Sequence, residues 1–316
     1  MKKNNRVYAL VGLKSKMAMW NADMNMGPKS TANDVFFGSD KALKYAIKNL
    51  WKQEGLDVLY VKHRNSDFEL LTLKDIYKLK FGEDVPKNIE KKGKEESGSV
   101  KVLRNILKCI DVRQFGATFA GGEGYVSMGI TGVVQVGQGL NIWEDSNRLT
   151  IDILSPFKNP KKEESKATSL GTKEVVDEAH YLYPISINPN NYKELESLDF
   201  FDGYSEEDYN LLKDALLRGV TALDTNSKTG CENEFALFIN LKEGSKLFLA
   251  NLDSYISMND FRAYDISKLQ EYLSSFDKEI ENIEVFYNNR ITSIINSDNV
   301  DISKYTFRDM YGEIIQ

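Results

Sequence analysis

A chain of 316 residues, 41% hydrophobic and 28% charged, suits one large soluble domain or one core domain carrying insertions. It has no run of about 18 apolar residues, so no membrane-spanning helix is expected. Only two cysteines occur, Cys109 and Cys231, neither near a second Cys or His at ligand spacing. This argues against a disulfide framework, a metal site or a cofactor and fits a reducing cytoplasm. The basic start, followed by Val7 to Leu13, is too short and strand-like for a secretory signal. The net charge of -6 is unevenly spread: residues 1–110 hold 22 Lys and Arg against 13 Asp and Glu, the remainder 19 against 34. Such asymmetry hints at a polyanion-binding face opposed by a solvating or partner-facing one.

Arg6 to Leu13 reads as a buried first strand, followed by a loop to Phe37 rich in Asn, Gly and Pro turn formers. Ser39-Asp40 offers an N-cap for a helix to about Gly55, with Ala42, Leu43, Ala46, Ile47, Leu50 and Trp51 inward. Asp57 to Lys62 is expected to be a second strand. This strand-helix-strand opening is compatible with a ferredoxin-like or RRM-like half. From residue 65 to 99 short helical pieces give way to a charged, glycine-bearing run, read as an insertion. Val100 to Ile110 is expected to be helical, Asp111 to Ile142 to hold loops and one or two strands, and Arg148 to Leu154 to be a strand. A second irregular tract runs from Ser155 to His180. Tyr181 to Ile187 then makes a strand, and Ser205 caps a helix to Leu217, with Asp208 three residues on. Glu234–Leu241 and Lys246–Asn251 suggest a hairpin around the intervening turn. Ile266–Phe276 reads as a helix and Ile283–Tyr287 as a late strand.

Among features that carry chemistry, Lys41, Lys44, Lys48 and Lys52 stand out. At helical spacing they share one face, about 5–6 Å apart per turn, similar to successive phosphates. A solvated lysine face has the same pattern. In Asp111-Val-Arg-Gln-Phe-Gly116, Arg113 suits a phosphate clamp and Phe115 a base stack, with Gly116 admitting backbone. An Asp111–Arg113 ion pair and a core Phe115 are the structural alternative. Neither the Gly-x-Gly around Gln138 nor Gly-Gly-Glu-Gly124 is a nucleotide fingerprint, since the required glycine, helix and lysine contexts are missing. Such glycines make turns or admit a close backbone approach. Thr225-Asn-Ser-Lys-Thr-Gly230 gathers donors that suit phosphate contacts or an ordinary loop. His63 and His180 belong to no nucleophile elbow or zinc helix, and His180 reads as a packing or hydrogen-bonding residue. Asp23 and Asp34 share a loop and could bind a metal for RNA cleavage, though turn formation explains both.

Read in order, Asn21-Ala-Asp-Met-Asn25, Ser39-Asp-Lys-Ala-Leu-Lys-Tyr-Ala-Ile-Lys48, Asp111 to Phe119, Ile130-Thr-Gly-Val-Val-Gln135, His180-Tyr-Leu-Tyr183 and Ser227-Lys-Thr-Gly230 match one family pattern. The chain resembles the large backbone subunit of type I CRISPR Cascade complexes, the seventh Cas protein family of the RAMP superfamily, in its type I-B form. That resemblance implies an α+β fold: an RRM-like palm with an antiparallel sheet (1–64, 100–154 and 181–316), a helical finger (65–99) and a thumb (155–180). It implies a non-catalytic, cytoplasmic subunit without cofactor or metal that polymerises along guide crRNA in antiviral defence. Its partners would be the crRNA, the target DNA strand paired to it, copies of itself in a helical backbone and other Cascade subunits. Sequence would be read by base pairing rather than by the protein. The RNA contacts implied by position are Asn21, Ser39, Lys41, Lys44, Lys48, Arg113, Gln114, Phe115, Gly116, Gln135, Gln138, Lys166, Thr168, Ser227 and Lys228. Met24 to Pro28 departs from the family's usual Pro- and Asn-rich pattern, and the thumb lacks an aromatic wedge. The alternative is a metal-dependent RNA-cleaving backbone subunit, as in type III complexes.

Overall fold

Twelve residues, Val7–Ala18, form the long first strand β1, nearly all of it buried. Its odd positions Val7, Ala9, Val11 and Leu13 enter one hydrophobic cluster, while Tyr8 and Leu10 enter a second on the other side. A strand covered on both faces has no use for polar alternation, which accounts for its apolar run. The computed structural model describes residues 1–88, 96–158, 168–249 and 251–315.

After β1 come β2 (Phe37–Gly38), α1 (Asp40–Gln53), α2 (Leu73–Phe81), α3 (Gly98–Ile106) and α4 (Ile110–Phe115). Next are β3 (Gly116–Ala120), β4 (Ser127–Thr131), β5 (Val134–Val136), β6 (Gly139–Asn141), β7 (Arg148–Lys158) and β8 (Thr168–Ile187). The chain continues through α5 (Glu206–Arg218), β9 (Cys231–Leu241), β10 (Ser257–Met258), β11 (Tyr264–Asp265) and α6 (Ser267–Ser274). It closes with β12 (Ile280–Tyr287), β13 (Ile294–Ile295) and β14 (Tyr305–Arg308). The main sheet has the order β14-β12-β9-β1-β8-β6-β2, with β5 and β7 also pairing β8. All its pairs are antiparallel except β12–β14. Helix α1 lies in sequence between β1 and the β5–β6 pair, and α5 between β8 and β9, giving two interlocked split β-α-β units. Helices α1 and α5 contribute Leu43, Ile47, Trp51, Leu212 and Leu216 to one cluster; α6 and the C-terminal segments contribute Leu252, Ile256, Tyr264 and Leu269 to the other.

Four expectations are corrected. Asp111–Ile142 holds most of helix α4 and four strands, β3 to β6, rather than loops and one or two strands, because short strands set off by glycines leave little periodicity to read. Asp57–Lys62 forms no strand, because the N–H groups of Leu59 and Tyr60 donate to the Asp111 carboxylate, both at 2.8 Å, rather than to a neighbouring strand. Residues 246–249 do not return as a hairpin, since the open side of β9 is taken by β12. The stretch read as irregular to His180 carries sheet: β8 begins at Thr168 and pairs with β7 from Arg148 onward. Small, hydroxyl and charged residues there hid the strand, and Gly171 and Thr172 within it are exposed. Residues 159–167, including Lys166, lie outside the described residues.

A buried polar chain ties the C-terminal layer to the sheet. His180 is buried and its Nδ1 lies 2.5 Å from Glu234 Oε1, which also accepts from the Tyr264 hydroxyl at 2.6 Å. Glu178, 3.4 Å from His180 Nε2, takes two bonds of 2.7 Å from the Arg262 guanidinium, which lies over Trp143. The paired guanidinium holds the Glu178 carboxyl well below the usual range, at about 2. Depressed in the fold, it stabilises the protein above its unfolded value of 4.5, and that contribution disappears as pH falls from 4.5 towards 2. In thermal unfolding, Arg262→Ala should therefore melt below the wild type at neutral pH, and the gap should narrow below pH 4.5. A gap that stays constant with pH would remove the ion pair from this account.

Candidate nucleic-acid interface

Ser39 caps α1, its Oγ accepting from the Ala42 N–H, and Leu43, Ala46, Ile47, Leu50 and Trp51 bury the inner face. The start of the helix is held from beneath. Tyr183 on β8 accepts from the Trp20 indole at 2.6 Å and donates to the Ser39 carbonyl at 3.3 Å. Gly38 presses on both aromatic side chains, where an added Cβ has no room. Asn21 completes the seat, its Oδ1 accepting from the Ser39 N–H at 2.8 Å.

The opposite wall comes from residues far along the chain. Asp111, buried in α4, holds the Leu59–Tyr60 backbone in place, and Lys48 Nζ donates to the Tyr60 carbonyl at 2.9 Å. Burial pushes the Asp111 carboxyl up and the Lys48 ammonium down, each partly offset by the other. Phe115 stacks on Trp51 with ring centroids 5.8 Å apart. Lys44 Nζ lies 5.5 Å from the Phe115 centroid and 3.1 Å from Asp40 Oδ2. Between the walls lies an open cleft of about 500 Å³, lined by Lys41, Lys44, Tyr45, Lys48, Tyr60 and Phe115 among others. Lys41 is exposed, and among the described residues no carboxylate pairs with it. The Tyr60 hydroxyl in this wall is buried without a partner. Cations on one wall, aromatic faces on both and an open mouth suit a phosphate chain whose bases stack on rings.

The structure brings Lys41, Lys44, Lys48, Phe115 and Gly116 together around this cleft. Gly116 has φ +73, and an added Cβ would meet Ile130 and Gly132 backbone, so it serves close packing at the cleft wall. Gln138 lies beside it, 3.4 Å from Asp40. Lys52 points away to the Lys62 carbonyl, so the lysine face divides rather than running as one solvated row. Arg113 is half-buried and Gln114 buried, and both spend donors inside the protein. Arg113 donates to Asp208 at 2.9 Å and to the Leu107 and Lys108 carbonyls, while Gln114 is wholly buried between Asp208 and Tyr204. Arg113 thus pairs with Asp208 of the α5 capping box rather than with Asp111.

Ser227 and Lys228 sit at the C-terminal end of β1, beside the Trp20 that seats α1. Lys228 Nζ donates to the Met19 and Trp20 carbonyls at 2.7 and 2.5 Å, and the Ser227 carbonyl accepts from the Met19 N–H. Gln135 is exposed and bonded to Gly132, and Thr168 opens β8 opposite Lys158. Gly139 lies against the Tyr183 ring and Gly137 against Pro184, so the glycines around Gln138 admit neighbouring side chains. Asp23 accepts from the Asn25 and Gly27 N–H groups and Asp34 takes a positive φ of 59, both as loop formers. Among the described residues no group of three His, Cys, Asp or Glu converges as a metal site. Sequence reasoning passed over Tyr45 and Tyr60. Tyr45 was findable, since it falls within the lysine row on an otherwise polar helix face, whereas Tyr60 depends on Asp111 far along the chain.

Residues 5–284 match the family described as CRISPR-associated protein Cas7. The chain belongs to that family. No curated protein sequence matches it. Two solved structures share its fold at 9% identity: a chain of a "CRISPR RNA-guided surveillance complex, pre-nicking", with TM-score 0.54 over 92% of this chain and 96% of that one, and a chain of a "CRISPR RNA-guided surveillance complex", with TM-score 0.51 over 96% and 94%. Among the described residues no helix is long and apolar enough to cross a membrane.

Because Arg113 neutralises a nearly buried carboxylate at the α5 cap, Arg113→Ala should cost about 2–4 kcal/mol of folding stability. Urea unfolding measures it. A variant as stable as the wild type would return Arg113 to the list of ligand-facing groups.

Proposed function

We propose that this protein is the guide-RNA-binding backbone subunit of a type I CRISPR Cascade complex, a non-catalytic cytoplasmic protein that polymerises along crRNA. The observation that carries the reading is the α1 cleft, where Lys41, Lys44 and Lys48 face Tyr45, Tyr60 and Phe115 in a Cas7-family chain. Lys41 and Lys44 take phosphates, the rings take base faces, and neither group distinguishes one base from another. Specificity is thereby left to pairing between the guide and the target DNA strand.

In this reading the β9-β1-β8-β6 order with α1 and α5 is an RRM-like palm. Residues 65–99 are the finger. Residues 155–180 are the thumb, reaching over a neighbouring copy. Support for it comes from the adjoining end of β7, where Ile151, Ile153 and Leu154 are exposed although the strand is paired with β8. Head-to-tail contact between copies is a heterologous interface, which generates an open helix along the RNA and presents surfaces for the other Cascade subunits. Thr168 belongs to that thumb, and Asn21, Ser39, Ser227 and Lys228 shape the loops that frame the palm.

Replacing Lys41 and Lys44 together by Ala should weaken binding of guide-length RNA by a similar factor for every sequence. It should also lower the slope of log affinity against log salt by about 0.7 per lost phosphate contact. Filter binding across a salt series checks this, and a loss confined to one guide sequence contradicts it. Complementary RNA incubated with the assembled complex and magnesium should remain intact. Cleavage at regular intervals that vanishes in Asp23→Ala would make the protein a nuclease.

A further inference from the structure

A second basic groove lies where β1 begins and where β8 and β9 end. It encloses about 610 Å³, more than the α1 cleft, and is built from the segment before β1, the turn after β8 and the turn after β9. Three of its cations, Lys193, Lys242 and Lys246, are exposed, and no carboxylate pairs with them among the described residues. The acids in its walls are already engaged: Glu196 pairs with Lys2 at 2.6 Å, and Glu243 accepts from the Asn4 amide at 3.0 Å. Net positive charge here runs against the chain's overall -6. Phe248 stands 73% exposed at the edge of the groove, with the Arg6 guanidinium stacked on its ring at 4.4 Å and anchored to the Tyr8 hydroxyl. An open phenylalanine ring backed by arginine suits a base face, and the three lysines beside it suit successive phosphates.

We infer that this groove binds a single-stranded nucleic acid, separately from the strand held in the α1 cleft, with Phe248 and Arg6 stacking a base and Lys193, Lys242 and Lys246 holding its phosphates. A run of Asp and Glu would use the lysines alone, whereas every nucleotide brings an aromatic face to Phe248 as well as a phosphate to the lysines. The groove and the α1 cleft share no lining residue, so a strand in one leaves the other open.

The test uses the full chain and an oligothymidine of about 15 nucleotides carrying 4-thiothymidine, irradiated and mapped by mass spectrometry. Cross-links are expected on the peptide that carries Phe248. They should persist in Lys41→Ala/Lys44→Ala, which probes the α1 cleft alone, and disappear in Lys193→Ala/Lys242→Ala/Lys246→Ala. In parallel titrations the triple variant should lower the salt slope by about 2, and Phe248→Ala should weaken binding about tenfold. Circular dichroism confirms that each variant is folded. Cross-links confined to the α1 cleft would overturn the inference while leaving the guide-RNA reading standing. Unchanged affinity in Phe248→Ala, with a polyglutamate peptide competing fully, would assign the groove to a protein and overturn it as well. Loss of cross-links in both variants would mean one continuous site, which also contradicts it.

Discussion

The hydroxyl of Tyr183, buried towards the C-terminal end of β8, joins the sheet to the start of α1. It accepts from Trp20 just past the end of β1 and donates to the carbonyl of the capping residue Ser39. Every position along α1 follows from that fixed start. The inner stripe meets α5, Trp51 supports Phe115, and Lys41, Lys44 and Tyr45 are left along the cleft. Such a buried hydrogen-bonded pair is costly to break from either side, because the remaining partner is stranded without water.

A second constraint sets the far wall. Asp111 is a carboxylate held in the core by two backbone N–H groups, with the ammonium of Lys48 nearby. It substitutes for a strand partner at Leu59 and Tyr60, so the segment after α1 lies against the helix instead of extending the sheet. The cleft is therefore the space between a helix pinned by Tyr183 and a loop pinned by Asp111. Arg113 and Gln114, next along α4, spend their donors on α5 and lock the same wall in place.

Much of this was legible in the chain. The α1 stripe and its Ser39 cap, the apolar β1 and the Ser205–Asp208 cap all follow local rules of period and capping, and the structure carries each of them. Long-range partners were not legible. Whether Arg113 meets a phosphate or Asp208, and whether Asp57–Lys62 pairs as a strand or hangs from Asp111, depends on groups 50 to 95 positions away. Exposed strands leave a weak signal for a related reason. Gly171 and Thr172 of β8 are exposed, so the composition there resembles a loop. The groove at Phe248 combines three segments joined only by the sheet, and no single stretch of sequence announces it.

The most direct test of the central claim is to purify the protein from its native host and to size and sequence whatever RNA comes with it. If the proposed palm grips phosphates without reading bases and copies stack along one guide, the protein should retain RNA of a narrow length class with shared repeat-derived ends and varied interiors. Protein that emerges without RNA, or with fragments of random length and end sequence, would contradict the account.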